Sequence, residues 1–220
     1  MIAAMMVAAV SANAQFEPGT FSIQPKVGMG LSKVSNMPAF DEGGFKLDKS
    51  LLVGAVIGAE AEYQIADIFS VAGGLHFSMQ GCQWKNTDFV LEGQKIECKD
   101  FKLELNYVNV PIVANLYVVK GLAIKTGVQF GFLVDSKYKT TIKRGDVTKT
   151  VDYDVKDYAN KFDVSIPVGL SYQVPTIPIY IDARAYFGLT NIVKDKYVEE
   201  GEKNSKNQVF QLTVGYKFAL

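Results

Sequence analysis

Eight ionisable side chains fall where an alternating pattern turns them to a common face: Lys26, Lys125, Arg184 and Lys217, with Glu60, Glu62, Asp163 and Asp182. Four bases against four acids can neutralise one another in a confined space. An unpaired charge there would bear a desolvation penalty of several kcal/mol. Two readings are open, a packed salt-bridge plug and a narrow ion path. The penalty favours the plug, and Arg184 is its expected hub because one guanidinium can bridge two carboxylates.

His76 is the single histidine, and Ser78 shares its face two residues on. Ser and His together raise a lipid-acting enzyme as an alternative. Residues i and i+2 of one strand stand roughly 7 Å apart, beyond hydrogen-bond reach, so a hydrogen-bonded interior histidine is the expectation. The chain has no Gly-rich phosphate loop, no zinc-like Cys and His spacing and no EF-hand pattern, so no cofactor is expected. Asp152, Asp154 and Asp157 could hold calcium weakly, but Lys149, Lys156 and Lys161 stand among them and favour a solvated loop.

Cys82 and Cys98 bracket a polar link. A disulfide at its two feet would restrict the link, contributing about 3 kcal/mol by the chain-entropy argument, and two thiols are the alternative. Between them lie Trp84 and Phe89, with Val90, Leu91 and Ile96. These either offer a contact surface to a partner or cap the structure beneath them.

The elements that must position these groups are strands. In the last stretch Phe210, Leu212, Val214, Tyr216, Phe218 and Leu220 alternate with Gln211, Thr213, Gly215 and Lys217. The same two-sided pattern predicts strands over 21–31, 52–65, 69–80, 101–118, 122–135, 162–173, 179–190 and 207–220. The fourth changes phase: Leu103, Leu105 and Tyr107 share one parity, while Val108, Val110, Ile112, Ala114, Leu116 and Val118 share the other. A bulge near Tyr107 would restore a common face, and Pro111 predicts local irregularity.

The links 66–68, 119–121 and 174–178 are short, whereas 32–51, 81–100, 136–161 and 191–206 are long and polar, in strict alternation. The expected fold is therefore an all-β, eight-stranded antiparallel transmembrane β-barrel of outer-membrane type. It has short periplasmic turns, four long extracellular loops and both termini in the periplasm. Tyr63, Phe69, Tyr117, Tyr172, Tyr216 and Phe218 lie near the short turns, as a periplasmic aromatic girdle would. A lipocalin-like soluble barrel is the alternative.

Composition agrees with one such domain. Of 220 residues 48% are hydrophobic, 23 basic residues balance 23 acidic ones, and 11 Tyr and 14 Phe accompany one Trp and 19 Gly. No apolar run reaches the roughly 20 residues of a spanning helix. The neutral balance argues against nucleic acid as a partner. Residues 1–14 read as a signal peptide, with Ala12, Asn13 and Ala14 as the small-x-small site, cleavage before Gln15 and a barrel domain over 15–220. No Lys or Arg precedes the apolar run, which leaves a start a few residues upstream of Met1 open, and an ordered N-terminal helix is the other reading. No Cys follows the site, so no lipoprotein anchor is expected. Both cysteines lie in the mature chain, which suits an oxidising compartment.

Four segments carry a resemblance: Tyr107-Val-Asn-Val-Pro-Ile-Val-Ala, Lys125-Thr-Gly-Val-Gln-Phe-Gly-Phe-Leu, Ala183-Arg-Ala-Tyr-Phe-Gly-Leu-Thr-Asn and Gln208-Val-Phe-Gln-Leu-Thr-Val-Gly-Tyr-Lys-Phe. Over nearly the whole mature chain the sequence resembles the PorT-like outer-membrane β-barrel family of Bacteroidota. The resemblance implies an outer-membrane location and, for the family's namesake, a role linked to protein secretion and gliding machinery. Leu220 departs slightly from the terminal aromatic usual in such barrels, while Phe218 keeps the parity.

The leading expectation is a non-enzymatic outer-membrane protein whose plugged barrel contacts outer-membrane lipid. Its surface loops would serve a structural role or bind a protein, glycan or lipid partner. The alternatives are a component of a secretion or gliding apparatus, a small-solute channel and a lipid-acting barrel enzyme.

Overall fold

The computed structural model describes residues 17–36, 41–42, 45–46, 48–85, 87–91, 94–144, 147–175, 177–197 and 204–220. The expected signal peptide, 1–14, lies outside the described residues. Eight long strands form the ring: β1 (Phe21–Val34), β2 (Leu52–Ala66), β3 (Phe69–Trp84), β4 (Gln94–Val119), β5 (Leu122–Arg144), β6 (Phe162–Gln173), β7 (Ile179–Gly188) and β8 (Asn207–Tyr216).

Each strand pairs antiparallel with its neighbours in the chain, and β1 closes the ring by pairing with both β2 and β8. Lys26, for example, stands opposite Gly58 on one side and Gly215 on the other. Closure pairs the backbone around the ring and leaves no edge there, which is what permits strands to cross lipid.

Alternation decides what faces where. Val27, Ile57 and Leu75 point outward, 59%, 59% and 60% exposed, while Lys26, Glu60 and Arg184 point inward at 4%, 1% and 1%. A water-soluble barrel would show the reverse. An apolar outside with charges in the lumen matches a barrel built for lipid.

The links are shaped by their residues. Between β4 and β5 the chain reverses at Gly121, whose φ of +82° disfavours a side chain. A Cβ there would also meet the Gln173 carbonyl oxygen at 2.4 Å. At Pro111, which has no N–H to give, Cα pairing between β3 and β4 stops at His76 and Asn109 and resumes at Gly73 and Ile112.

Four expectations change. The links 81–100 and 136–161 are not simple loops: β4 and β5 run on, paired as far as Ile96 opposite Arg144. Outside them Thr87–Leu91 pairs with β4 and Val147–Asp154 with β5. The result is a four-stranded blade rising from one side of the ring, roughly 30 Å along β5 from Asp135 to Arg144. Alternation simply continues there with polar residues, a pattern that looks like loop composition.

The phase change in β4 is not corrected to a common outward face. A register shift does fall at Asn106 and Tyr107, but it lies in the pairing with β5, while pairing with β3 runs straight through. Leu103, Leu105 and Tyr107 therefore stay on the inner parity, 4%, 1% and 1% exposed. Tyr117 shares that parity and is buried, so it leaves the expected girdle, whereas Tyr63, Tyr172, Tyr216 and Phe218 are exposed near the turns. Finally, the closing strand is interrupted at Lys217, after which Phe218–Ala219 resumes pairing with β1.

Candidate functional site

The lumen holds the charges in two layers. In the central layer Arg184, from β7, donates Nη1 and Nη2 to the two carboxylate oxygens of Glu60 on β2, each at 2.7 Å. Its Nη2 also reaches Asp182 Oδ2 at 2.8 Å, and its Nε lies 2.7 Å from Asp182 Oδ1. Lys26 Nζ meets Glu60 Oε1 at 2.5 Å and Lys125 Nζ meets Asp182 Oδ2 at 2.7 Å.

Gly169 is the Cα partner of Arg184 on β6. A Cβ there would press within 2.8 Å of the arginine Cγ, so the glycine gives the guanidinium stem its room.

The second layer lies nearer the short turns. Lys217 Nζ sits 2.9 Å from Glu62 Oε2 and donates to Tyr117 Oη at 3.1 Å. Glu62 also accepts from Gln24, Ser70 and Tyr117. Its carboxylate is thus held by one cation and three neutral donors, as a buried charge requires.

Asp163 stands apart. It lies six residues from Gly169 along β6, roughly 20 Å at strand rise, and its partners are the Thr190 hydroxyl and Asn207 Nδ2. Seven of the eight charges are brought into ion pairs, and the eighth is held by neutral groups.

Above the charges the lumen is closed a second time, by apolar side chains. Val34, Cys82, Trp84, Leu103, Leu105, Tyr107, Leu133, Ala159 and Ile192 form one buried cluster. Trp84 stacks on Phe101 with ring centroids 4.6 Å apart, and Phe101 on Tyr138 at 5.9 Å. The two loops that supply Ala159 and Ile192 are tied by the bridge from Ala159 to Val193 and by Asn160 Nδ2 donating to the carbonyls of Asn191 and Val193. Trp84 is 1% exposed and lies inside this cluster. Phe89 lies opposite Ile96 in Thr87–Leu91, and its side chain is outside the described residues.

No disulfide joins Cys82 and Cys98, which corrects that expectation. Cys82 pairs across to Leu103, so Cys98 lies five residues further along β4, roughly 17 Å away against the less than 7 Å that a disulfide spans. Burial pushes the Cys82 thiol up to about 12.

The Ser78 and His76 pair is not joined by a hydrogen bond, and His76 is buried without the hydrogen bond expected of it. Ser78 accepts from Gln80 Nε2 at 2.7 Å and Asn109 Nδ2 at 2.8 Å, and neither ring nitrogen of His76 has a hydrogen-bond partner. Asp152 and Asp154 lie on an edge strand opposite Lys139 and Lys137, and Lys194 Nζ donates to the Asp157 carbonyl.

On the blade, Glu104 Oε1 accepts from Lys102 at 2.8 Å and Oε2 from Lys139 at 2.7 Å. Burial alone would raise the Glu104 carboxyl, but the hydrogen bonds and charges of these two lysines outweigh it and hold it below its ordinary value. The same hydrogen bond to Glu104 raises Lys139. Val147–Asp154 is one of the blade's two outer strands, with Val147 70% and Tyr153 63% exposed.

Sequence reasoning missed Tyr117 as a partner of Glu62 and Leu103, Leu105 and Tyr107 as the lumen cap. The signal was present in the unbroken odd parity they share with Asn109 and Asn115, both of them polar and buried.

Comparison with known proteins completes the description. A family model described as "Outer membrane protein beta-barrel domain" matches residues 13–194. No curated protein matches the sequence. Among solved structures the chain is similar to Ail, the attachment invasion locus protein of Yersinia pestis, at 16% identity over 91% of this chain and 99% of that one, TM-score 0.43. Neisserial surface protein A is similar at 13% identity over 90% and 97%, TM-score 0.44. The outer membrane protein OprG from Pseudomonas aeruginosa is similar at 12% identity over 94% and 99%, TM-score 0.39.

Proposed function

The chain belongs to the outer membrane protein beta-barrel domain family and so resides in the outer membrane, and from there we propose that it is a non-conducting, non-enzymatic anchor for a surface-exposed blade. The observation that carries this reading is the double closure of the lumen. The Arg184–Glu60–Asp182 network fills one level and the cluster around Leu105 and Trp84 fills another. An ion-pair plug under an apolar cap offers a solute no continuous path.

Among the described residues, the blade is what projects from the ring to interact. One of its outer strands, Val147–Asp154, pairs among the described residues with β5 on one side only, so its other edge can accept an added strand from a protein partner. In this reading the short turns and both termini face the periplasm and the blade faces outward.

The test has two parts. The mature chain, 15–220, reconstituted in a planar bilayer is expected to be silent. Arg184→Ala alone leaves the cap in place and stays silent, and conductance appears only when it is combined with Trp84→Ala and Leu105→Ser. Steady conductance of the wild type overturns the proposal in favour of a small-solute channel. Protease added to intact cells is expected to cut the blade around 145–154, and protection there overturns the orientation. The finer likeness to PorT, with a place in a secretion or gliding apparatus, belongs to the same proposal and is tested by co-purification of other envelope proteins through the blade.

A further inference from the structure

The ion-pair network is unbalanced. Among the described residues its central layer joins three cations, Lys26, Lys125 and Arg184, to two anions, Glu60 and Asp182. The balancing carboxylate, Asp163, is roughly 20 Å away along β6 and occupied by Thr190 and Asn207. A net positive charge in a narrow lumen is costly to leave uncompensated.

Around Arg184 stand buried polar groups whose donors lack an acceptor. Gln211 is the Cα partner of Arg184 on β8, and its Nε2 makes no hydrogen bond. Tyr186 is the next inward residue on β7, and its hydroxyl, within hydrogen-bonding reach of the Arg184 guanidinium, which can only donate, has no acceptor for its own proton. The His76 ring lies 6.3 Å from the Tyr186 ring, centroid to centroid, and both its nitrogens are unpartnered. All three residues are 3% exposed or less. Buried polar atoms of this kind are nearly always satisfied, so such a group calls for an ordered water or an ion, and the charge excess favours the ion.

The available chemistry is that of donors. The tyrosine hydroxyl, the amide NH₂ and one imidazole N–H belong to inward-facing residues next to a cluster with one positive charge in excess. We infer that the lumen holds a small monovalent anion, of chloride size, bound by Tyr186, Gln211 and His76 against Arg184. The anion supplies the negative charge that the network lacks and the acceptor that the three donors lack. It is a structural ligand of the plug and requires neither a partner on the blade nor a conducting pore.

Two measurements test this. In crystals of the mature chain grown with bromide as the only halide, an anomalous peak is expected within hydrogen-bond distance of Tyr186 Oη and Gln211 Nε2. The unfolding midpoint, read by heat-modifiable gel migration, is expected to be higher in sodium bromide than in sodium gluconate at equal ionic strength.

Lys26→Met removes the excess charge and leaves the Arg184 fork on Glu60 intact. It is expected to fold, to lose the peak and to melt at the same temperature in both salts. Tyr186→Phe with Gln211→Leu removes two donors and is expected to do the same. Ordered water in place of the peak in wild-type crystals overturns the inference. So does a peak that survives in Lys26→Met, or a halide effect on melting that is equal in all three proteins.

Discussion

Arg184 on β7 reaches across the lumen to grip both carboxylate oxygens of Glu60 on β2, at 2.7 Å each, with two strands lying between them in the ring. The fork ties opposite walls of the barrel. Removing one partner strands the other as a buried charge, at a cost of about 3–5 kcal/mol. Arg184→Ala is therefore expected to lower unfolding free energy in lipid by about that amount. Arg184→Met with Glu60→Gln is expected to cost less than the sum of the single changes. Additive costs in denaturant titrations would mean that the fork does not couple the two walls.

The cap makes a separate contribution. Leu105 and Trp84 are each 1% exposed within one apolar cluster, so truncation leaves a cavity rather than a solvated gap. Leu105→Ala is expected to cost about 2–5 kcal/mol and Trp84→Ala about 3–5 kcal/mol. If either change is neutral in the same titrations, the cluster is not packed as a core.

These two layers differ in how far they could be read from the residues. A charge at Arg184 or Glu60 on a strand with an apolar opposite face has only one affordable direction, inward, and so both were legible. Leu105 and Tyr107 were not, because hydrophobicity alone cannot separate a side chain facing lipid from one facing an apolar cap. The parity of Asn109 and Asn115 decides it, since two buried amides on the same strand must also face the lumen. The blade was missed for a related reason. Strands that leave the membrane lose their greasy face, so the polar alternation of 136–144 reads as loop until its pairing with 96–106 is known. The wide separation of Cys82 and Cys98 follows from that same extension, which no spacing along the chain reveals.

The cysteines give a direct chemical check. Cys82 is 1% exposed with its thiol pushed up to about 12, while Cys98 is only partly buried on the blade. A maleimide at neutral pH is expected to label Cys98 and to spare Cys82 until the barrel is unfolded, because the thiolate is the reacting form. Gel migration of the folded and the denatured chain is expected to be the same with and without reductant. A reductant-dependent shift, or labelling of Cys82 in the folded barrel, would contradict the register that separates them.

The blade's stability should depend on acid in a direction that Glu104 sets. Its carboxyl is held below the ordinary value of 4.5 by Lys102 and Lys139, so the folded blade binds this proton less readily than the unfolded chain does. The stabilisation is complete above the ordinary value and is lost as pH falls through the lowered one. Lys139 contributes with the opposite sign: its folded value is raised above 10.5, so its share is present below that value and lost as pH rises through the raised one. Between these limits the cluster is fully formed. Amide exchange of the blade strands, followed by mass spectrometry, is expected to quicken in the wild type as pH is lowered from neutral past 4.5, after correction for the intrinsic exchange rate. In Glu104→Gln the corrected rate is expected to be faster than wild type at neutral pH and flat across that window. The two proteins should converge at the acid end, where the wild-type carboxyl is itself neutral. If the variant and the wild type keep the same separation throughout, Glu104 does not hold the blade through its charge, and the two lysines beside it serve packing alone.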